Sequence, residues 1–317
     1  MTTLQHTPPN VLGFDVGKAA IVVFDSATGE TRGIDNEPAA LRRFLKAFDP
    51  ARTFAVCEAT GGYEAALLDA LCQRRIATHR ADAAKVKAYI RSLGVLGKTD
   101  AIDARALAAY GSERGHRLSR WQPVDKKRRE LQAMVLRRSD LVAMRVAEKN
   151  RLKAPQSRPI AKSLNAVIRC LQRQIDALDE QINALIATSP EIAQAVAVML
   201  AMPGIGAVSA AALAALMPEL GTMNRRQAAA LAGLAPHPNE SATRNGYRRI
   251  RGGRPQVRRV LFMVAMVAAR HNTRLKTFYN RLIDNGKKPI VALTAVMRKI
   301  VVILNARIRE QLVEQES

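Results

Sequence analysis

The chain has 317 residues, 48% apolar and 24% charged, which is enough for a real core and fits roughly two domains at about 150 residues each. Lys and Arg number 50 against 27 Asp and Glu, a formal net charge of +23 that points to a polyanionic partner, most simply nucleic acid. Three scattered cysteines, Cys57, Cys72 and Cys170, exclude a disulfide framework and a CxxC metal site. The longest apolar run, Val260 to Ala269, is too short to span a bilayer, and MTTLQHTPPN reads as no signal peptide, so a cytoplasmic protein without a membrane partner is expected.

The first hundred residues read as α/β. VLGFDV (11–16) and AAIVVFD (19–25) are β-rich runs joined by a tight Gly-Lys turn, and TRGID (31–35) is a third strand. PAALRRFLKAF (38–48) has helical spacing, TFAVCE (53–58) is an apolar strand, and a helix follows over Gly62 to Arg74. IATHR (76–80) is a short strand and DAAKVKAYIRS (82–92) is helical. Three strands in a row, then alternating helices and strands, predict a mixed sheet with helices on its faces.

After Asp100 the sequence offers no convincing strand. Asp100 to Glu113 is Ala-rich and helical, Val124 to Lys153 is a long basic helix, and KAPQSRP (153–159) breaks it. Leu164, Ile168, Leu171, Ile175, Leu178, Ile182 and Leu185 recur with a period of 3.5, the seam of a coiled coil. The two long helices together read as an α-hairpin arm. Beyond residue 190 the pattern is helical again. PGIG (203–206) is a helix–helix turn, of the kind that in helix-hairpin-helix modules exposes backbone N–H groups to phosphate. RRQAAALAGL (225–234) is a short helix and residues 235–255 read as a polar loop. Val257 to Arg270 and Pro289 to Gln311 are two further helices.

Charge is unevenly distributed. Residues 1–120 carry 17 basic and 13 acidic side chains, and residues 121–317 carry 33 and 14. Residues 126–173 hold 14 Lys and Arg against Glu130, Asp140 and Glu148, and residues 244–259 hold seven arginines and no acid. Two such clusters favour phosphate contact over a merely solvated surface. The candidate nucleic-acid contacts are Lys18, Lys98, Arg137, Arg138, Arg145, Lys149, Arg151, Arg244, Arg248, Arg249, Arg251 and Arg254.

Four carboxylates stand out against this background. Asp15 and Glu58 end apolar strands, where an unpartnered carboxylate is costly. Asp100 and Asp103 are three apart on one helix face, although Asp100 or Thr99 could cap that helix and Asp103 could answer its dipole. Such oxygen ligands suit hard divalent cations, and a pair of Mg²⁺ ions would stabilise both oxygens of an in-line phosphoryl displacement.

FDVGK, CEATGGYE and KTDAIDARALA resemble the DEDD signature of a class of bacterial insertion-sequence transposases, the family that includes the Piv-type invertases and the bridge-RNA-guided recombinases. AMPGIGAVSAAALAA, AAALAGLAP, the loop Ser241 to Gly253 and RRVLFMVAMVAAR resemble its second domain, so the resemblance runs over roughly residues 11 to 310. It implies an RNase H-like domain at 1–115 in which Asp15, Glu58, Asp100 and Asp103 bind Mg²⁺, with Mn²⁺ as an alternative. It implies a helical coiled-coil arm at 116–188 and a helical transposase domain at 189–317. It further implies that Ser241 attacks the scissile phosphate, holds the strand covalently and frees a 3′-OH. The position after the serine, often glycine in the family, is Ala242 here. The partners implied are donor and target DNA, a noncoding bridge RNA, and a homodimer assembling to a tetramer. On the residues alone, Ser241 reads as an ordinary loop serine, with Tyr247 as a rival nucleophile. A metal-only, structure-selective nuclease and a non-enzymatic nucleic-acid-binding protein are the competing readings.

Overall fold

β1 (Asn10–Val16) is buried on both faces, which is why its sequence is an almost unbroken apolar run. It pairs antiparallel with β2 (Ala20–Asp25), which pairs antiparallel with the exposed edge strand β3 (Thr31–Asp35). Helix α1 (Pro38–Leu45) leads to β4 (Thr53–Glu58), parallel to β1. Helix α2 (Ala65–Gln73) leads to β5 (Ala77–Ala81), parallel to β4. The sheet order is β3-β2-β1-β4-β5, an RNase H-like arrangement with β1 at its centre. Helices α3 (Ala83–Ser92), capped by the Asp82 side chain, and α4 (Asp100–Arg114) complete this part.

Strand alternation divides the side chains between two cores. Leu12, Phe14 and Val16 face α1 and α2, where Leu41, Leu45, Leu67 and Leu71 bury with them. Val11, Phe54 and Val56 face α4, against Leu107, Ala108 and Tyr110. The computed structural model describes residues 9–94, 97, 99–241 and 244–316; the side chains of Glu240, Ser241, Arg244, Asn245, Tyr247, Gln315 and Glu316 lie outside the described set. The described residues form two units, one up to Val124 and one from Asp125 onward.

The second unit begins with α5 (Lys126–Leu152) and α6 (Ala161–Ala187), separated by the Pro155–Pro159 break. The 3.5-residue stripe of α6 packs on α5 of the same chain, with Leu164, Ile175 and Ile182 buried. Arg138 pairs with Asp179 and Arg145 donates to Gln172, so a seven-residue step on one helix meets a seven-residue step on the other. That is antiparallel packing in heptad register.

Helices α7 (Pro190–Leu200), α8 (Ala207–Leu216) and α9 (Arg225–Leu231) follow. Next come two strands that the sequence reading missed, β6 (Pro236–Ser241) and β7 (Arg244–Ile250), which pair antiparallel. The expected loop over 235–255 is therefore largely a hairpin. Its signal is hidden because β6 carries Pro236 and Pro238 and β7 is rich in arginine, so apolar alternation is absent; Pro238 falls at the register shift between His237 and Asn239, where a missing N–H does no harm.

Helices α10 (Pro255–His271), α11 (Thr273–Asp284) and α12 (Pro289–Glu316) close the unit. α11 was also hidden, since Leu275 is its only fully buried residue. By length and apolar composition alone α12 could cross a bilayer. Here Val296, Ile300, Val301 and Leu304 are wholly buried in the same core as α10. The buried Asn305 accepts from the Gly221 amide and donates to the Met223 carbonyl, pinning the preceding turn to this helix.

Candidate active site

Strand register decides which acids share a surface. Asp15 has the parity of Val11 and Gly13, and Glu58 that of Phe54 and Val56, so both belong to the α4 face. Phe14 pairs with Cys57 in the parallel ladder, so Asp15 and Glu58 are the next neighbours along adjacent strands. Both are half-buried at the C-terminal edge of the sheet.

Gly13 brings α4 to that edge. A Cβ built at Gly13 would lie 2.1 Å from the Ala104 carbonyl oxygen and 2.4 Å from the Ala108 nitrogen, so only glycine lets the helix lie this close. At the far end Gly111 packs against the side chains of Val11 and Val56. The helix thus runs antiparallel to β1, and its first turn, with Asp100 and Asp103, reaches the strand ends that carry Asp15 and Glu58. Thr99 caps α4: its hydroxyl accepts from the Ile102 amide at 3.2 Å. Asp100 is therefore not needed as the cap and stays exposed.

Glu58 and Asp103 line one cavity of about 220 Å³, together with Lys87 and Arg91 of α3. Asp15 shares the face, and Asp100 is one turn before Asp103. Among the described residues no three His, Cys, Asp or Glu side chains close into a ready-made metal cluster.

Sequence reasoning missed Glu64. It is 2% exposed and organises the loop that leaves Glu58. One carboxylate oxygen accepts from the Thr60 amide and hydroxyl and from the Gly62 amide, and the other accepts from Arg80 at 2.8 Å. Burial alone would raise this carboxyl, but those hydrogen bonds and the Arg80 charge outweigh it and hold Glu64 at about 2. Cys57, beside it, is pushed up to about 12 by burial and by the Glu64 charge, so it is an inert thiol. Asn36 donates to the Gly17 and Tyr63 carbonyls, tying the β1–β2 turn to the same loop. The available signal for Glu64 was its place in CEATGGYE, beside two glycines that adopt positive φ.

The basic candidates differ in their surroundings, and exposure and pairing overlap, since Arg151 is both exposed and paired. Lys18, Arg137, Lys149, Arg248, Arg249 and Arg251 are exposed. Arg138 pairs with Asp179, Arg145 donates to Gln172, and Arg151 pairs with Glu148. Arg254 grips Glu219 at 2.8 Å and the Leu216 carbonyl at 2.6 Å, so it holds the base of the hairpin to α8 and the turn after it. Ser241 is the last residue of β6, opposite Arg244. The side chains of Ser241, Arg244 and the rival Tyr247, and the whole of Lys98 and Ala242, lie outside the described residues.

An RNase H-like sheet with acids at its strand ends, joined to a strongly basic helical unit, is the build of a nucleic-acid-processing protein. Comparison with known proteins makes this specific. Residues 12–155 match the IS110-type DEDD transposase family, and residues 196–280 match the family described as Transposase IS116/IS110/IS902. The pilin gene-inverting protein of Moraxella lacunata is 28% identical over 259 residues, covering 80% of each chain. That of Moraxella bovis is 30% identical over 232 residues, covering 71% of this chain and 70% of its own. The insertion element IS110 uncharacterized 43.6 kDa protein of Streptomyces coelicolor is 32% identical over 154 residues, 48% of this chain and 37% of its own. T. thermophilus RuvC, solved in complex with a Holliday junction substrate, aligns at TM-score 0.28 and 13% identity, over 35% of this chain and 99% of its own. The chain belongs to the IS110 family of DEDD-type transposases, which are DNA recombination enzymes.

Proposed function

We propose that this protein cuts and exchanges DNA strands through a serine-linked intermediate at a Mg²⁺-assisted site, directed by a noncoding bridge RNA. The observation that carries the reading is the gathering of Asp15, Glu58 and Asp103 on one face at the C-terminal edge of β1 and β4. The donor set fits the metal, because carboxylate oxygens suit a hard divalent cation, Mg²⁺ first and Mn²⁺ next. Asp15, Glu58, Asp100 and Asp103 would hold it. When bound, it would neutralise charge on the phosphate and favour the ionised form of an attacking hydroxyl.

The nucleophile is the Ser241 hydroxyl, supplied by the second unit. Its oxygen forms a bond to phosphorus as the bond from phosphorus to the 3′ oxygen breaks, and the departing oxygen takes a proton to become a free 3′-OH. The exposed arginines Arg248, Arg249 and Arg251 hold flanking phosphates as bidentate forks. Base pairing with the guide carries sequence recognition, so the protein needs only to read backbone shape and charge. Donor and target DNA and the guide RNA are the partners, in the cytoplasm. Functionally the chain divides into the acid domain (1–115), the arm (116–188) and the serine domain (189–317). Dimers pair into a tetramer through the arm, a view supported by Met144, Val146 and Val167, large apolar side chains left exposed on α5 and α6.

The test is chemical. Ser241→Ala is expected to bind DNA normally and make no cut, whereas wild type yields a protein–DNA adduct that survives denaturation and carries its phosphate on Ser241 by mass spectrometry. An adduct on Tyr247, or efficient strand exchange by Ser241→Ala, returns the metal-only nuclease to first place.

A further inference from the structure

Two cations that the strand chemistry above leaves unused stand in the wall of the acid cavity. Lys87 and Arg91 are four residues apart on α3, so they project from one face of that helix. Both line the cavity that also holds Glu58 and Asp103, over an apolar floor that includes Ile90 and Leu107. The inner face of α3 is fixed independently by Val86 and Tyr89, 1% and 4% exposed, and its start by the Asp82 cap. The two cations are therefore carried by a helix that is anchored through other residues. Both are solvent-exposed, and among the described residues neither forms an ion pair, although two carboxylates line the same cavity.

A cavity lined by two acids and by two cations that, among the described residues, form no ion pair has a chemical consequence. A phosphodiester approaching carboxylates is repelled by like charge. A cation pair in the same cavity offsets that repulsion. Arginine presents a planar fork that matches two phosphate oxygens, and lysine a mobile point charge. We propose that Lys87 and Arg91 seat a phosphodiester of the DNA strand being processed against Glu58 and Asp103. The seat rests on the reading of those acids as a divalent-cation site.

The experiment uses the full chain and a fluorescein-labelled DNA four-way junction, read by anisotropy over a salt series in Ca²⁺ and in EDTA. The Lys87→Gln/Arg91→Gln variant keeps most of each side-chain stem, and far-UV circular dichroism checks that it is folded. Its affinity is expected to fall at least about ten-fold in Ca²⁺, and its salt slope to flatten by about 0.9 for each phosphate no longer neutralised. Arg91→Lys should recover part of the loss. Lys85→Gln, the same charge change on the same helix but outside the cavity, should change affinity less than about two-fold. Wild type should gain affinity on adding Ca²⁺, and Glu58→Gln should lose that gain. If Glu58→Gln removes the gain while the double variant binds like wild type, the seat is wrong and the acid site stands. If Ca²⁺ has no effect on wild type, the acid reading fails and the seat falls with it. A Lys85→Gln loss equal to that of the double variant, or a larger loss on an RNA duplex of the same length than on DNA, also overturns the proposal.

Discussion

The acid edge of the sheet and the basic hairpin of the helical unit place their candidate site residues on opposite kinds of scaffold. Asp15 and Glu58 end strands in the middle of a five-stranded sheet, and Asp103 rides a helix locked onto β1 at Gly13. Their positions are fixed by packing on both sides. Ser241 instead ends a strand of a two-stranded ribbon, held at its base by Arg254 on Glu219 and by Arg258, which donates to the Gly233 and Gly252 carbonyls. The difference teaches that charge surplus and functional charge are separate quantities. In the basic unit, several arginines with the right composition are already engaged in holding the fold. In the near-neutral unit, Lys87 and Arg91 line the acid cavity and, among the described residues, form no ion pair.

The largest effect should come from the rigid side of this contrast. Asp15→Asn is expected to lower strand exchange in Mg²⁺ by more than about 100-fold. The stability of the sheet unit should change by less than about 1 kcal/mol. The chain's single tryptophan, Trp121, packs on the α1–α2 core and reports that unit's unfolding by fluorescence. A variant that recombines at the wild-type rate breaks the contrast at its root.

Glu64 sharpens it, because here an acid of the same unit serves structure. Its ordinary value of 4.5 is depressed to about 2, so its stabilisation is complete above 4.5 and is lost as pH falls toward 2. Glu64→Gln should cost about 2–3 kcal/mol at pH 7 in urea unfolding followed at Trp121. The gap from wild type should narrow steadily between pH 5 and 2. A gap independent of pH would mean that packing, not charge, is what Glu64 provides.

The smallest effect belongs to the hairpin. Neutralising Arg248 and Arg249 should flatten the salt dependence of nucleic-acid binding by about one unit for each phosphate left without its arginine. Replacing Arg254 with Gln should leave that slope alone and lower thermal stability instead. Equal slopes in both variants would mean that the exposed arginines are as structural as Arg254.

The central strands β1 and β4 were legible because they are buried on both faces and so read as apolar runs; β4 falls at the predicted bounds, as does the exposed edge strand β3. Asp15 and Glu58 could be picked out for the same reason, since a carboxylate ending such a run is conspicuous. The hairpin was not legible, because a ribbon with little core contact needs no apolar period. Glu64 was not, because its meaning depends on Arg80, sixteen residues later on the next strand. Lys87 and Arg91 escaped because an i,i+4 cation pair looks the same in sequence whether it faces open water or an acid cavity.

The prolines of β6 carry one more consequence. A two-stranded ribbon has two free edges, and a free edge is a template on which another chain can pair. Pro236 and Pro238 strip β6 of two amide donors, and β7 answers with arginines. The ribbon is thus poorly suited to recruiting a third strand, from a neighbouring copy or from a misfolded one. A segment lodged in a growing β-aggregate could no longer reach anything else, and these two residues keep the serine ribbon solitary.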